Sequence, residues 1–373
     1  MAVGAELVQD IALTGANGFL GFHVRAALRE HGIDARAIAM GAAFESDAAA
    51  SSVDGSSRLI HLAGVNRGSD DEVRDGNRLF ASQVAESIVR ASEPPATVVY
   101  ANSTQSTNAS VYGDSKSKAA DILRAAAESV GAEFLDVRLP HLFGEHGKPF
   151  YNAVTATFCH LLANGERPSV DRDTELVLLH AQDAADHLIG ATCGDKVDLL
   201  KSRETVSSLL RRLTTMATNY DNGEIPDVAE AFDRNLFNTY RSYTFPGQAP
   251  VRLTRHADAR GSFFEIIRSH GGSGQSSFST TAPGISRGDH FHRRKIERFT
   301  VLAGTATIAL RRLFSEDVHE FFVSGDDPVA IDMPTMWAHK ITNIGPSELY
   351  TSFWSNDLHD EHAPDTIAEA VQK

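Results

Sequence analysis

The sequence predicts an α/β domain built on a doubly wound parallel sheet, followed by an all-β domain of antiparallel strands. The chain has 373 residues, more than one hydrophobic core usually supports, so two domains are expected. Over the first two-thirds, short apolar runs alternate with longer helical patterns, as they do in parallel sheets with crossover helices. Beyond about Tyr243, short alternating runs are separated by Gly, Pro, Asn or Asp, which is the pattern of a small antiparallel barrel or double-sheet roll.

The composition is that of an ordinary globular protein, with 42% hydrophobic and 23% charged residues. Its 35 basic and 49 acidic residues give a formal net charge of −14, which disfavours general binding of nucleic acid or of an anionic membrane. Cys159 and Cys193 provide no disulfide framework. No apolar run reaches the roughly 18–20 residues of a membrane span, and residues 1–10 lack a signal-peptide pattern. We therefore expect a protein of the reducing cytoplasm without membrane insertion.

The strands of the α/β domain are predicted from near-continuous apolar runs, because parallel strands are buried on both faces. These runs are "IALT", "ARAIAM", "RLIHLAGVN", "ATVVYANST" and "EFLDVRLPHLFG". Helices are expected between them, at Gln83–Ala91 and Ser115–Val130 among other places. The segment "FPGQAP", Phe245–Pro250, is rich in helix breakers and predicts a linker. The predicted domains are therefore residues 1–245 and residues 246–373.

A glycine-rich turn, "TGANGFLG", places Gly15, Gly18 and Gly21 between the first strand and a helix. Glycine permits a tight turn and lets backbone N–H groups approach a pyrophosphate at a helix N-terminus. The strand–turn–helix context favours a dinucleotide site over a turn that binds nothing. The second strand ends at Met40 without the acidic residue that holds an NAD ribose, which favours NADPH over NADH. The candidate cofactor-binding residues are Gly15, Asn17, Gly18, Phe19, Leu20, Gly21, Leu62, Ala63, Gly64 and Lys116.

Tyr112 and Lys116 form a Y-x-x-x-K pair in "YGDSK". Residues four apart lie on one helix face, so the ammonium group can lower the pKa of the phenol and bind a nicotinamide ribose while Tyr112 exchanges a proton with the substrate oxygen. A hydroxyl at the preceding strand end could hydrogen-bond the reacting carbonyl; Ser103 is preferred and Thr104 is the alternative register. Such a pair also occurs on surfaces by chance, but the glycine turn and "HLAG" favour the catalytic interpretation.

The spacing G-x-x-G-x-x-G, "HLAG" and the Tyr–Lys pair together resemble the extended short-chain dehydrogenase/reductase superfamily, which implies a Rossmann-type domain. A set of polar residues among apolar ones follows where such enzymes build a substrate pocket, and a nucleotide-sugar diphosphate needs such contacts. Loop–helix packing explains any single one of them nearly as well. The candidate substrate-binding residues are Asn66, Arg138, His141, Lys148 and Asn152.

In the second domain, "GDHFHRRKIERF" contains His290 and His292 two residues apart and Glu297 five residues later. Residues two apart on a strand face the same side, so both imidazoles should project into the barrel. Glu297 is an odd number of residues from both histidines, so in a regular strand it would point to the opposite face. The residues before it must therefore turn or bulge. His339 can arrive from a separate strand to complete a set of three imidazoles and one carboxylate. These ligands suit Zn²⁺, with Fe²⁺, Mn²⁺ or Ni²⁺ as alternatives.

These residues resemble the two cupin motifs, G-x5-H-x-H-x4-E-x6-G and P-x-G-x2-H-x3-N. The second motif has Met336 in place of its glycine, which places the conformation of that turn in question. The resemblance implies a jelly-roll domain with a metal site. The alternative is a metal-free sugar-epimerase version, in which a barrel histidine acts directly as a base.

The two domains together, with "HLAGVNR", "YGDSK", "PGISRGDHFHRRKIERF" and "PDT", are similar to the bifunctional capsular-polysaccharide enzymes of the CapF type, from about Ile11 to Thr366. The resemblance implies a UDP-linked 4-keto-6-deoxy-N-acetylhexosamine as substrate. It implies that a zinc cupin domain epimerises C3, and that the Rossmann-type domain then reduces the C4 ketone with NADPH to a UDP-6-deoxy-L-talosamine-type sugar. It also implies a homodimer. Lys295 and His319 are the candidates for the acid and base of the epimerisation.

Two other functions are compatible with the same residues. The chain could be a nucleotide-sugar epimerase or dehydratase whose cupin domain is purely structural. It could also be a non-catalytic sensor of NADP(H) or of a nucleotide sugar, although intact Tyr112 and Lys116 argue against a sensor.

Overall fold

A computed structural model describes residues 10–372, which separate into two compact units. Within these residues, the first unit comprises residues 10–143, 147–154 and 174–204, and the second comprises residues 144–146, 155–173 and 205–372. Nearly all of the stretch scanned for a signal peptide, residues 1–9, lies outside the described part of the chain.

Secondary structure alternates in the first unit and is mostly β in the second. The α-helices of the described residues are α1 Phe19–Glu30, α2 Ser46–Val53, α3 Asp70–Arg90, α4 Val111–Ser129, α5 Val154–Ala163, α6 Ala181–Leu188, α7 Gly194–Leu199, α8 Val206–Asp221 and α9 Ala231–Thr244. The strands are β1 Ile11–Thr14, β2 Arg36–Ile38, β3 Arg58–His61, β4 Thr97–Ser103, β5 Glu133–Leu139, β6 His141–Phe143, β7 Glu175–His180, β8 Ser202–Thr205, β9 Val251–Arg252, β10 His256–Asp258, β11 Gly261–Phe263, β12 Gln275–Thr281, β13 Ser286–Phe291, β14 Glu297–Ala303, β15 Thr305–Arg312, β16 Val318–Ser324, β17 Val329–Met333, β18 Trp337–Asn343, β19 Leu349–Ser355 and β20 Ile367–Ala368.

The first unit contains a five-stranded parallel sheet of order β2-β1-β3-β4-β5. Successive residues of each strand point to opposite faces. Leu13 and Val99 pack with α1 and α6 on one face, whereas Ala12 and Val98 pack with α2, α3 and α4 on the other. Both faces are thus covered by helices, which confirms the doubly wound sheet. A second sheet of order β6-β7-β8 follows it in the chain.

Helix α3 begins at Asp70, well before the predicted start at Gln83. The Ser69 side chain accepts a hydrogen bond from the Glu72 backbone N–H, and the Glu72 carboxylate accepts one from the Ser69 N–H at 2.7 Å. This capping box satisfies free N–H groups of the first turn. The polar first half of the helix therefore forms because its N-terminus is capped, although it lacks a continuous apolar stripe.

The second unit contains two five-stranded antiparallel sheets, of order β12-β19-β14-β17-β9 and β16-β15-β18-β13-β20. Side chains from the two sheets form one core, which includes Phe299, Ile308, Val323, Ile331 and Ile341. This arrangement confirms the predicted all-β domain.

One of the short alternating runs beyond Tyr243, "GSFFEIIRS" at residues 261–269, is predicted to be a strand but is mostly not one. Of the run at residues 261–269, only residues 261–263 form a strand, in the β10–β11 hairpin. Further along the run, Ile225 donates a backbone hydrogen bond to the Arg268 carbonyl at 2.8 Å and accepts one from the His270 N–H at 3.0 Å. The backbone around Arg268 thus pairs with a single residue after α8 rather than with a sheet.

A buried ion pair and two hydrogen bonds beside it connect helices α8 and α9 with the strands of the second unit. Arg298 and Asp332 lie opposite each other on β14 and β17, with two N···O distances of 2.6 and 2.8 Å, and their side chains are 1% and 4% exposed. Arg298 also donates to the Gly223 carbonyl after α8, and Arg241 of α9 donates to the Met333 carbonyl. These contacts explain why α8 and α9 belong to the second unit.

The sequence predicts a domain boundary between residues 245 and 246. The last segment of the first compact unit ends earlier, at residue 204. The boundary at residue 245 therefore stays a prediction. Phe245, in the predicted linker, packs against Trp337 with 4.7 Å between ring centres.

Across residues 10–372, the helices are too short or too polar for any of them to span a membrane.

We expect Asp332→Asn to lower the free energy of unfolding by about 3–5 kcal/mol, because it leaves the Arg298 guanidinium buried beside an uncharged amide. Chemical denaturation measures the change. Asp327→Asn is the matched control, since Asp327 is 82% exposed and 3.8 Å from Arg252, and it should change stability little. Equal effects of the two substitutions would contradict the assigned role of the buried pair.

Candidate functional site

The glycine turn lies at the carboxyl ends of β1 and β3, where the strand order of the parallel sheet reverses and ligands of such sheets bind. Gly15 has a positive φ of 70°. A Cβ on Gly21 would lie 2.1 Å from the Gly15 carbonyl oxygen, and a Cβ on Gly15 would lie 2.8 Å from the Ala63 nitrogen. The turn therefore packs directly on the first turn of α1 and on the loop after β3, an approach that only glycine allows.

The ends of β1 and β3 are joined through Thr14. Its hydroxyl accepts hydrogen bonds from the backbone N–H groups of Leu62 and Ala63, at 3.1 and 3.2 Å, and lies 2.7 Å from Nδ1 of His61. Of the other predicted cofactor residues, Asn17 and Gly18 are exposed in the turn, and Phe19 and Leu20 are half-buried at the start of α1. The structure thus brings the predicted cofactor residues of the two loops together.

Lys116 is 5% exposed and lies on the face of α4 that meets β4. Its Nζ donates to the Ala101 carbonyl at 2.8 Å and lies 4.2 Å from the centre of the Tyr100 ring. Burial lowers the pKa of Lys116 to about 7, although the charge of Asp136 acts in the opposite direction. The ammonium group is therefore largely shielded from water. One of its three N–H groups bonds Ala101, so the others can donate to hydroxyl groups of a ligand.

Tyr112 shares α4 with Lys116, because the helix begins at Val111 with the Ser110 hydroxyl accepting from the Gly113 N–H. Burial raises the pKa of Tyr112, and a hydrogen bond with Ser103 only partly offsets this. The expected lowering of the phenol pKa is therefore wrong for this structure. The phenol keeps its proton at neutral pH.

Ser103, rather than Thr104, is the strand-end hydroxyl in contact with Tyr112. Thr104 instead begins a short 3-10 turn, Thr104–Thr107, in which its carbonyl accepts from the Thr107 hydroxyl at 3.2 Å. This turn packs closely on α4, since a Cβ on Gly113 would lie 2.3 Å from the Gln105 carbonyl oxygen.

Asn77 is a residue of this region that sequence reasoning missed. Its Nδ2 donates to the Val65 carbonyl at 2.7 Å and to the Ser115 hydroxyl at 3.1 Å, and its Oδ1 accepts from the Val65 N–H at 3.0 Å. It is 3% exposed and links the loop after β3 to α4. An amide within a polar helical stretch gave no sign of this role.

Three of the five predicted substrate residues lie on two loops in contact. Asn152 donates from Nδ2 to the Asn66 carbonyl at 2.9 Å. Nζ of Lys148 lies 5.0 Å from the centre of the Tyr151 ring, with Arg67 on the same ring at 5.9 Å. The other two lie at the edge of the sheets: Arg138 pairs with Asp136 at 3.1 Å and is exposed, and His141 is exposed at the start of β6.

The four predicted metal ligands converge in the second unit. His290 on β13 lies opposite His339 on β18, His292 follows the end of β13, and Glu297 begins β14 in the other sheet. The three ring centres are 4.6–5.1 Å apart, and one potential ligand atom from each residue lies within 4.8 Å of all the others. Residues 292–296 form the loop between β13 and β14, which confirms the predicted turn before Glu297.

Hydrogen bonds orient two of the imidazoles. Nδ1 of His292 lies 2.6 Å from the Asp365 carbonyl oxygen, which can only accept, so Nδ1 carries the proton and Nε2 faces Oε2 of Glu297 at 2.8 Å. Nδ1 of His339 lies 3.2 Å from the Trp337 carbonyl, and its Nε2 lies 3.7 Å from the same carboxylate oxygen. Within residues 10–372, this buried Nε2 has no hydrogen-bond partner.

Electrostatics favour the protonation states of metal ligands. Burial lowers the pKa of His290 to about 3, with further lowering by His339 and His292, and burial also lowers the pKa of His339. Burial alone would raise the pKa of Glu297, but His292 and His339 lower it well below its usual value. The shifts of His290, His339 and Glu297 favour neutral imidazoles and an ionised carboxylate, the forms that bind a cation. Together with the convergence of all four side chains, they fit a divalent metal ion.

Met336 occupies the motif position where glycine is usual. It keeps the left-handed backbone conformation, with φ of 61°, at a conformational cost of about 1–3 kcal/mol. Its N–H donates to the His292 carbonyl at 2.7 Å. The turn before β18 is thus tied to a candidate ligand, and methionine does not disrupt it.

A cavity of about 160 Å³ lies beside the cluster, with Ser277, Lys295, Glu297, Trp354 and His359 among its lining residues. Nζ of Lys295 is 3.3 Å from Oε1 of Glu297. Of the two predicted acid–base candidates, Lys295 therefore lies at the cavity.

His319, the other acid–base candidate, packs elsewhere in the second unit. Its ring centre lies 5.7 Å from that of Phe245 and 5.6 Å from that of Trp337. Neither His319 nor these two rings are among the residues that line the cavity in the described part of the chain.

Known proteins match both parts of the chain. Residues 11–192 match the NAD dependent epimerase/dehydratase family, and residues 256–367 match the polysaccharide biosynthesis C-terminal domain. The UDP-2-acetamido-2,6-beta-L-arabino-hexul-4-ose reductase of Pseudomonas aeruginosa is 29% identical over 376 aligned residues, which cover 97% of this chain and 98% of the relative.

Solved structures match over the same length. The crystal structure of the capsular polysaccharide assembling protein CapF from Staphylococcus aureus is 31% identical, with a TM-score of 0.61, and the match covers 97% of this chain and 100% of that one. A structure of CapF with the inhibitor 3-isopropenyl-tropolone is 29% identical, with the same coverage and a TM-score of 0.55. The chain belongs to the CapF family, as the sequence motifs predict.

Proposed function

We propose that this protein is a bifunctional nucleotide-sugar enzyme of surface polysaccharide synthesis. The second unit epimerises C3 of a UDP-linked 4-keto-6-deoxy-(N-acetyl)hexosamine, and the first unit reduces the C4 ketone with NADPH to give a UDP-6-deoxy-L-talosamine-type sugar. The observation that carries the reductase proposal is the position of Tyr112 on α4, one helical turn from the buried Lys116, with Ser103 at the end of β4 as its hydrogen-bond partner. The name of the P. aeruginosa relative, a reductase of a UDP-linked hexul-4-ose, supports it.

In the first unit, NADPH would supply the hydride when bound. Backbone N–H groups of the turn from Gly15 to Gly21 would hold its pyrophosphate, and Lys116 would donate to a ribose hydroxyl. Ser103 would donate to the substrate carbonyl, and Tyr112 would give its proton to the oxygen at C4. Reduction needs a phenol that arrives protonated, and burial keeps the proton on Tyr112.

Five residues are proposed to bind the nucleotide sugar. The loop pair with Asn66, Lys148 and Asn152 offers an ammonium group for the diphosphate and amides for hydroxyl groups. Arg138 and His141 are exposed and would complete the contacts. For the cofactor, the end of β2 near Met40 lacks an acidic residue, which supports NADPH over NADH.

In the second unit, His290, His292, Glu297 and His339 would hold a divalent cation, with zinc first and Fe²⁺, Mn²⁺ or Ni²⁺ as alternatives. When bound, the cation would supply a positive charge for the C4 carbonyl oxygen, which acidifies the C3 proton. The cavity beside Glu297 would receive the sugar, and Lys295 on its wall is the candidate for moving a proton at C3. Epimerisation must precede reduction, since loss of the ketone ends the acidity of C3.

The same family resemblance supports a homodimer, which sedimentation analysis would test. The two cysteines provide no disulfide framework, which supports a cytoplasmic location.

Replacing Tyr112 with phenylalanine should lower the rate of NADPH oxidation by a UDP-4-keto-6-deoxy sugar by about 10²- to 10⁴-fold, because the proton donor is lost. NADPH binding, measured by titration of its fluorescence, should stay within about twofold of the unmodified protein. Tyr350→Phe is the matched control, since that phenol contacts Glu348 in the other unit, and it should leave the rate unchanged. A Tyr112→Phe protein with full activity would rule out this role.

Removal of the cation should separate the two activities. A chelator, or His290→Ala, should abolish solvent deuterium incorporation at C3, as read by NMR, because the C3 proton would no longer be acidified. NADPH oxidation of an already epimerised 4-keto sugar should persist.

His256→Ala is the control for the histidine substitution, because His256 is exposed on β10, and it should leave the exchange unchanged. Continued exchange in both the chelated protein and the His290→Ala variant would mean that the second unit is structural. Exchange that survives chelation but not the substitution would favour direct base catalysis by a histidine.

A further inference from the structure

Asp365 holds the loop between β13 and β14, at a distance of more than 60 residues along the chain. Its carboxylate accepts hydrogen bonds from three consecutive backbone N–H groups, those of Arg293, Arg294 and Lys295, at 3.0, 2.8 and 2.7 Å. Its side chain is 10% exposed. One buried carboxylate therefore satisfies three amides that no strand pairs, and it fixes the backbone path between two candidate metal ligands.

The backbone of Asp365 also contacts one of those ligands directly. Its carbonyl oxygen lies 2.6 Å from Nδ1 of His292. A hydrogen bond at this nitrogen selects the tautomer and the ring orientation in which Nε2 faces Glu297. Asp365 itself has a φ of 45°, a left-handed conformation that aspartate tolerates better than most residues. Its two functional groups thus point to the same loop.

The segment around Asp365 is anchored independently of the loop. After it, β20 pairs with β13 in the register His290↔Ala368. Arg311 forms a buried ion pair with Glu369 at 2.7 Å, and Val371 is fully buried. The C-terminal segment is therefore held in place by contacts outside the loop, and Asp365 can fix the position of the loop relative to β13.

We propose that Asp365 is a positioning residue of the metal centre, an inference that rests on the proposed metal site. Its carboxylate holds residues 293–295 and its carbonyl orients His292, so that His292 and Glu297 meet the two ligands from β13 and β18. Without the carboxylate, three amides lose their acceptor and the loop can move while His290 and His339 stay in place on their strands. Zinc affinity should then fall although every ligand is present.

The test is the zinc affinity of full-length Asp365→Asn, measured by competition with a chromophoric chelator. The amide is isosteric, but its –NH₂ group cannot accept from the backbone, so we expect affinity to fall by about 10- to 100-fold, as for other groups that orient ligands. The zinc-dependent rise in Tm should shrink in the same variant. Asp360→Asn is the matched control, since Asp360 is exposed in the same segment and its carboxylate accepts one backbone hydrogen bond, from the His362 N–H. This variant should bind zinc normally.

A purely structural role would lower Tm equally with and without zinc and leave the affinity unchanged, and that result would overturn the proposal. An unmodified protein that binds no zinc would instead overturn the metal site itself, so the two failures are distinct.

A measurement on the unmodified protein covers the case in which Asp365→Asn does not fold. Because coupling between sites is reciprocal, zinc should slow hydrogen exchange of the amides of residues 293–295. Amides of the exposed β10–β11 hairpin should not respond. Exchange at residues 293–295 that is indifferent to zinc would also overturn the proposal.

Discussion

The candidate metal site depends on the contact between the Glu297 carboxylate, which is 15% exposed, and the imidazoles of His292 and His339. Burying an ionised group costs several kcal/mol unless a positive charge is close. Here Nε2 of His292 lies 2.8 Å from that carboxylate, and Nε2 of His339 also faces it at 3.7 Å. The two sheets, the loop between β13 and β14 and the C-terminal segment all bring these groups together. Such an arrangement is stable when a cation, or a proton in its absence, occupies the space between nitrogen and oxygen.

The first unit depends on close backbone approach rather than on buried charge. Its glycine turn leaves no space for a Cβ at Gly21, and the short turn after β4 leaves none at Gly113. Both sites therefore also rely on polar residues that hold backbone segments in place. Asn77 holds a loop to α4 in the first unit, and Asp365 holds a loop to the C-terminal segment in the second. In each case a polar side chain satisfies backbone groups that no regular secondary structure pairs.

Sequence alone predicted the parts of the structure that depend on local spacing. The helical pair Tyr112 and Lys116 follows from the period of a helix, and the glycine turn follows from its strand–turn–helix context. His290 and His292 converge as predicted, although His292 lies just beyond the end of β13 and not on the strand. Contacts between distant segments could not be predicted in this way. Nothing near Asp365 indicates that its carboxylate meets residues 293–295. The direction of the Tyr112 pKa shift was predicted wrongly, because spacing does not reveal the burial that raises the pKa of the phenol.

We propose that one divalent cation is bound by the imidazoles of His290, His292 and His339, from one sheet and its adjoining loop, and by the carboxylate of Glu297 from the other sheet. X-ray absorption spectroscopy of the protein loaded with one equivalent of zinc tests it most directly. Zinc held by these residues should have only nitrogen and oxygen ligands, at about 2.0–2.2 Å, with outer-shell scattering from three imidazole rings. Sulfur ligands at about 2.3 Å, or scattering from fewer than three imidazoles, would contradict it.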